Sequence, residues 1–170
     1  LRHGPAVIYH DDGTLSQELH YQNDLLHGKI LHYFSGYEKK LMEISNYKND
    51  TLEGESIVFA ENGHVLFKKN YRKGIYDGLQ ESFFDNGTNQ EKAIYRNGLY
   101  HGEFISYYKD SLNNKQKKCT YVNGKLNGPY TGYYPNGSVM MKGTYKQDSL
   151  EGEYLHYFPS KVKGVEEGPV

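Results

Sequence analysis

Tyr133-Tyr134-Pro135-Asn136-Gly137-Ser138-Val139-Met140-Met141-Lys142-Gly143-Thr144-Tyr145, opened by Gly128 and closed by Leu150-Glu151-Gly152, is the stretch on which the reading of the fold turns. An Asn-Gly pair separates two segments rich in aromatic and aliphatic side chains, the signature of two strands joined by a tight turn. Gly128 and Gly152 are 24 residues apart, and each stands two residues after a leucine. Self-similarity at a fixed period marks a repeat architecture and is read before any single element.

Working outward, that glycine recurs at Gly4, Gly28, Gly54, Gly78, Gly102, Gly128 and Gly152, at intervals of 24 or 26 residues. With each glycine as position zero, an aromatic stands at plus 5 every time: Tyr9, Tyr33, Phe59, Phe83, Tyr107, Tyr133 and Tyr157. In the shorter units a turn dipeptide ends at plus 9: Asp12-Gly13, Asn62-Gly63, Asn86-Gly87 and Asn136-Gly137. These dipeptides predict two-residue type I′ hairpins, whose central positions both need φ > 0. A second tyrosine closes the return strand, at plus 17 in Tyr21, Tyr71, Tyr95 and Tyr145 and at plus 19 in Tyr47 and Tyr121. The two additional residues of the longer units fall in the loops Ser35 to Lys40 and Lys109 to Lys115, where extra length costs little. An apolar side chain precedes each next glycine by two: Leu26, Leu52, Tyr76, Tyr100, Leu126 and Leu150. Tyr37 is the single tyrosine of the 18 that falls outside these and the plus 2 and plus 6 positions.

These residues resemble the bacterial variant of the MORN repeat, whose pattern runs G-x-x-x-x-Y-Y-x-N-G-x-L-x-x-x-x-x-Y-x-x-G-x-L-x-G. The resemblance covers Gly4 to Phe158, and the unit from Gly128 is the closest match; Gly36 and the run Asp110 to Lys115 replace the turn dipeptide in the long units. The expected fold is all-β, an elongated, twisted antiparallel meander of tandem hairpins in a single solenoid-like sheet. The array occupies 1–158 with a partial last unit from Gly152, and 159–170 form a charged tail or a truncated next unit. The resemblance implies non-enzymatic scaffolding or membrane-proximal assembly, and some bacterial members carry an antitoxin label.

Composition narrows the function classes. Twenty basic against 21 acidic side chains leave a formal charge of −1, which supplies neither the footprint of a nucleic-acid binder nor a polybasic membrane anchor. The only cysteine, Cys119, makes no internal disulfide, and no apolar run approaches the length of a membrane-spanning helix. The start at Leu1 points to a chain that continues upstream, so cell envelope, periplasm and cytoplasm all stay open.

If each hairpin reverses over two residues, plus 6 pairs with plus 11 and position zero lies opposite plus 17, with the missing Cβ leaving room for the partner ring. One face then carries plus 2, 4, 6, 11, 13 and 17, including Ile30, Phe34, Phe104, Tyr130, Val65, Phe67, Val139 and Met141, and is read as the inner face. The other carries the plus 5 aromatics beside charged plus 14 residues such as Glu18, Lys68, Lys92 and Lys142. That plus 5 row is either a binding ladder or a row that buries itself through sheet curvature.

Other chemistry has a plain explanation. His3, His27 and His101 share the position before the glycine with Glu53, Asp77, Asn127 and Glu151, which reads as a solvated polar loop position; neighbouring repeats are also too far apart to share a metal. Lys117 and Lys118 beside Cys119 would lower its thiol pKa, but no resolving cysteine or His/Asp set accompanies it. Asp11-Asp12 reads as a turn and Glu166-Glu167 as a tail, and the glycines do not form a phosphate loop. No cofactor is expected. The expected function is a non-enzymatic scaffold that binds another protein, with carbohydrate or cell-wall binding, or a lipid-associated scaffold, as alternatives. Nucleic acid is not expected as a partner, nor membrane contact through these repeats alone, and self-association through sheet edges stays open.

Overall fold

The computed structural model of the chain describes residues 1–110 and 112–158. The expected tail at 159–170 lies outside the described residues. The described residues form a single open antiparallel sheet of 17 strands, with no helix, in which each strand pairs with its neighbours along the chain.

Two kinds of turn alternate, and they exchange the roles the sequence suggests. The Asx-Gly turns are not type I′. Their loop is three residues long: the Gly13 amide donates to His10 O and the His10 amide to Thr14 O. Only the glycine has positive φ, at +82 for Gly13 and +85 for Gly63. The residue before it uses its side-chain oxygen instead, as Asn62 does for the His64 amide and Asn136 for the Ser138 amide. This is a type I turn followed by a left-handed glycine. The type I′ geometry belongs to the connectors between units. Asn23-Asp24, Asn49-Asp50, Lys73-Gly74, Asn97-Gly98, Asn123-Gly124 and Gln147-Asp148 all have both residues at positive φ.

The three-residue loop pairs Tyr9 with Leu15, Phe59 with Val65 and Tyr133 with Val139, so plus 5 faces plus 11. Val65 and Val139 therefore leave the inner face and stand beside the plus 5 aromatics. A bulge at plus 12 then absorbs one residue. Beyond it the tyrosine meets the glycine in every complete unit: Gly4–Tyr21, Gly28–Tyr47, Gly54–Tyr71, Gly78–Tyr95, Gly102–Tyr121 and Gly128–Tyr145. Turn and bulge each shift the register by one residue in opposite senses, and the shifts cancel.

Each glycine also sits at a bend. Between units, Tyr95 pairs with Tyr100 and Ala93 with Phe104, which leaves His101, Gly102 and Glu103 opposite the single residue Ile94. The chain takes that bend with φ of +121 at Gly102 and +84 at Gly54. Ring space is not the reason for the glycine. A Cβ at Gly54 would meet nothing within 4 Å, and one at Gly102 would meet the Ile94 side chain at 3.2 Å, not Tyr121.

The bend brings side chains of the inner face together. Ile30, Ser45, Ser56, Ala93 and Cys119 are each 1% exposed and all lie on the plus 2 and plus 15 rows, or the equivalent plus 17 in the long units. Beside them the tyrosines and the apolar residues two before each glycine interleave into a ladder. Ring centroids lie 5.1 Å apart for Tyr71–Tyr76, 5.4 Å for Tyr76–Tyr95, 4.5 Å for Tyr95–Tyr100 and 5.0 Å for Tyr100–Tyr121. Pairs at these spacings each contribute about 0.5–1.5 kcal/mol beyond area burial. Burial, then the Cys119 neighbour, pushes the Tyr121 hydroxyl up to about 12.

Hydrogen bonds tie each unit to the next on both sides. Tyr108 and Tyr134 hydroxyls donate to Tyr133 O and Tyr157 O, each at 2.8 Å, and His10 Nε2 lies 3.1 Å from Tyr33 O. At the other side, the connector amides of Gly74, Gly98 and Gly124 donate to Leu52 O, Tyr76 O and Tyr100 O. In four units the residue before the glycine joins this side and is not merely solvated. Glu53 and Asp77 accept the amides of Lys73 and Asn97, and His27 and His101 meet Asn49 and Asn123 at 3.3 and 3.1 Å.

Two outcomes follow. Gly54→Ala will lower stability by about 1–2 kcal/mol from backbone strain alone, and Gly102→Ala by more because Ile94 must also move, as read from urea unfolding. Cys119 will resist a thiol reagent in the native protein and react on unfolding: burial pushes its thiol up and outweighs the pull of Lys117, contrary to the lowering expected from its lysine neighbours.

Candidate binding surface

The plus 5 row lies on the outer face, its rings from Tyr9 to Tyr133 each opposite the plus 11 residue or the equivalent plus 13 residue of the long units, and its exposure varies along the array. Tyr33 is 5% exposed, Phe59, Phe83, Tyr107 and Tyr133 are half-buried, and Tyr9 and Tyr157 are 61% and 40% exposed. The Glu18, Leu31, Lys92 and Ile105 positions run alongside, with Lys92 paired to Glu81 at 2.8 Å.

Both long loops keep the insertion inside the hairpin, because the Phe34 amide closes on Lys40 O and the Tyr108 amide on Asn114 O. Lys39 and Asn113, at φ +53 and +54, take the left-handed place that glycine holds in the short turns. The loop at 109–115 ties its neighbours together. Lys109 pairs with Asp85 at 2.8 Å, and the Asn113 and Asn114 side-chain amides donate to Asn89 O and Pro135 O, each at 2.8 Å.

The loop at 35–40 does something different: it reaches over the outer face of the first hairpin. Ser35 Oγ and the Gly36 amide donate to Asp12 Oδ2 at 2.8 and 2.9 Å, and Lys39 Nζ lies 3.1 Å from Glu18 Oε1. Between loop and sheet is an open cavity of about 420 Å³ walled by Val7, Tyr9, Leu15 and Tyr37, with Glu18, Glu38 and Lys39 among its charged lining residues. Tyr9 and Tyr37 stay accessible, at 61% and 40%, and Lys40 Nζ sits 3.7 Å from the Tyr37 ring centroid. Two features that are separate in the sequence, an exposed plus 5 aromatic and the out-of-register tyrosine, thus line one site. A cavity of this kind suits a bulky apolar side chain within a polar rim, the usual anatomy of an interaction anchor.

Asp12, a turn residue by its sequence, organises this loop. Its oxygens accept the Thr14 amide and hydroxyl at 2.8 and 2.6 Å in addition to Ser35 and Gly36. The Thr14 hydroxyl first, then the Thr14 amide and Ser35, hold its carboxyl far below the ordinary carboxylate range. The signal was present: the other short turns have asparagine at this position, and the one carboxylate precedes a unit with a long loop. An amide oxygen serves one turn, whereas the second carboxylate oxygen is free to bind the neighbouring loop.

Among the described residues, no group of three or more His, Cys, Asp or Glu side chains is placed to hold a metal ion. Because the Asp12 pKa is depressed, the stability it gives the loop is present above its ordinary value of 3.8 and is lost as pH falls through the depressed one. The Gly36 amide signal will therefore hold steady on titration to pH 4 and move only below it, and Asp12→Asn will speed Gly36 hydrogen exchange at neutral pH.

A family model described as the MORN repeat variant matches residues 2–23, 52–73 and 126–147. Each match spans the same frame, from two residues before an anchor glycine to nineteen after it, and none falls on the two long-loop units. No curated protein matches the chain.

Proposed function

For this chain, a MORN-type repeat protein, we propose a non-enzymatic role as a scaffold that binds another protein. MORN repeats are interaction repeats for proteins or membrane lipids and form a non-enzymatic family. The observation that carries the finer reading is the cavity formed by Tyr9, Val7, Leu15 and Tyr37. The repeat explains most aromatic positions by packing. It does not explain Tyr37, which the loop holds 40% exposed against the first hairpin. An exposed large ring on a pinned loop loses little conformational entropy on binding, which favours it as an anchor for a partner's apolar side chain. The likeness to the bacterial repeat variant supports a bacterial source.

The test is co-purification with cross-linking, comparing the unaltered protein with Tyr37→Ala. A partner retained at micromolar concentration should be lost or weakened at least tenfold by Tyr37→Ala, and kept by Phe158→Ala at the opposite end of the array. Failure to retain any protein, or equal retention by Tyr37→Ala, would sink the reading.

A further inference from the structure

The inner face carries a second, independent pattern. One row of cross-strand partners runs unbroken through the middle of the sheet, from Glu43 through Phe67 and Glu91 to Lys117. Lys69 flanks it, with Nζ 4.9 Å from the Phe67 ring centroid. Four successive units thus place one charge each on or beside this line, Glu43, Glu91 and Lys117 on it and Lys69 two residues to one side, and the signs alternate. The strands that carry consecutive charges are two strand spacings apart, about 9.5 Å.

These charges are unusual for their kind. All four are half-buried, and none belongs to the ion pairs of the described residues. Lys117 Nζ lies 4.4 Å from the Phe104 ring centroid, and Glu43 accepts the Ser56 hydroxyl at 2.9 Å. Burial pushes the Glu91 carboxyl up, with Lys117 pulling it partly back. The two middle charges share an open cavity of about 370 Å³ with Phe67, Ser82 and the rings of Tyr76 and Tyr95. Half-buried charges outside an ion pair are costly to keep, and a ligand that pairs them recovers that cost.

Charge pattern and pitch together select the ligand. A uniform polyanion such as a nucleic acid or an anionic membrane would meet Glu43 and Glu91 as repulsive groups. A polypeptide of alternating charge meets none. A β-strand repeats its facing side chains every 6.6–6.8 Å, which misses the pitch. An α-helix covers about 9.5 Å in six to seven residues, nearly 1.8 turns, so successive charges drift around it. The polyproline II helix has three residues per turn at 3.1 Å each, about 9.3 Å, and docks on aromatic-lined grooves. We propose that the inner face, from Glu43 to Lys117, binds a proline-rich polypeptide segment in the polyproline II conformation, one turn per repeat, with charges of alternating sign at every third residue. This deepens the scaffold reading by naming a partner chemistry. It concerns the face opposite Tyr37, so the two tests fail separately.

The experiment is a fluorescence titration of the intact chain with the labelled peptide Lys-Pro-Pro-Glu-Pro-Pro-Lys-Pro-Pro-Glu. Micromolar binding is expected, at least tenfold tighter than for the isomer with both lysines first and both glutamates last. Glu91→Lys should weaken the first peptide at least tenfold and prefer Lys-Pro-Pro-Glu-Pro-Pro-Glu-Pro-Pro-Glu, a compensation that a folding defect cannot produce. Glu91→Gln, which should leave the fold more stable at neutral pH, should weaken binding about threefold. Tyr37→Ala should bind as the unaltered protein does. Equal affinity for the two isomers, no binding, tighter binding of an all-glutamate peptide, or preference for a helical peptide with heptad-spaced charges would overturn the proposal.

Discussion

Three residues facing one, at the junctions between units, is the constraint on which the rest of this molecule depends. At each junction the chain packs His101, Gly102 and Glu103, or their equivalents, against a single residue of the preceding strand. Only a left-handed backbone closes that bend while leaving the tyrosine paired on one side and the buried plus 2 residue paired on the other. Glycine takes that conformation at little steric cost, whereas any other residue strains it. The bend fixes the ring ladder, the buried row and the position of the connectors, and so sets the spacing at which anything else on the sheet repeats.

Stability in a single-layer sheet comes from neighbours only, so every unit must satisfy the next. The tyrosine ladder supplies the apolar part, and side-chain-to-backbone bonds supply the polar part. Tyr108 and Tyr134 cap the following unit on one side, and Glu53, Asp77 and His101 hold the following connector on the other. His27 and His101 thus have a structural place in the repeat. The same economy limits the tyrosines: a residue required by packing in each unit carries no information about a partner that touches only some of them.

Binding specificity must therefore come from departures from the repeat, and the structure gathers these in two places. On the outer face, Asp12 in place of asparagine captures the long loop and sets Tyr37 across from Tyr9. On the inner face, the rows that bury Leu19, Ile30, Ala93 and Phe104 also hold the polar side chains of Ser45, Ser56, Lys69 and Gln80. Gln80 compensates for its polarity by bonding both backbone groups of Asn70. Lys69, with Glu91 in the adjacent row, is left to face an open cavity.

The sequence by itself determined the period, the strand-turn-strand content of each unit, the antiparallel meander, the pairing of Gly54 with Tyr71 and its equivalents, and the placement of both insertions in hairpin loops. These are local properties, set by turn residues and by a count along two adjacent strands. Tertiary structure alone decided which turn type each dipeptide adopts, since the loop length depends on the bulge that compensates it, and why the glycine is needed, since its φ answers to a strand of the preceding unit. It also decided that Asp12 reaches a loop 24 residues away, and that Glu43, Glu91 and Lys117 line up across the strands with Lys69 in the adjacent row. Such contacts cross from one unit to the next, and a sequence read along one chain direction shows the spacing of those units but not the angle at which they meet.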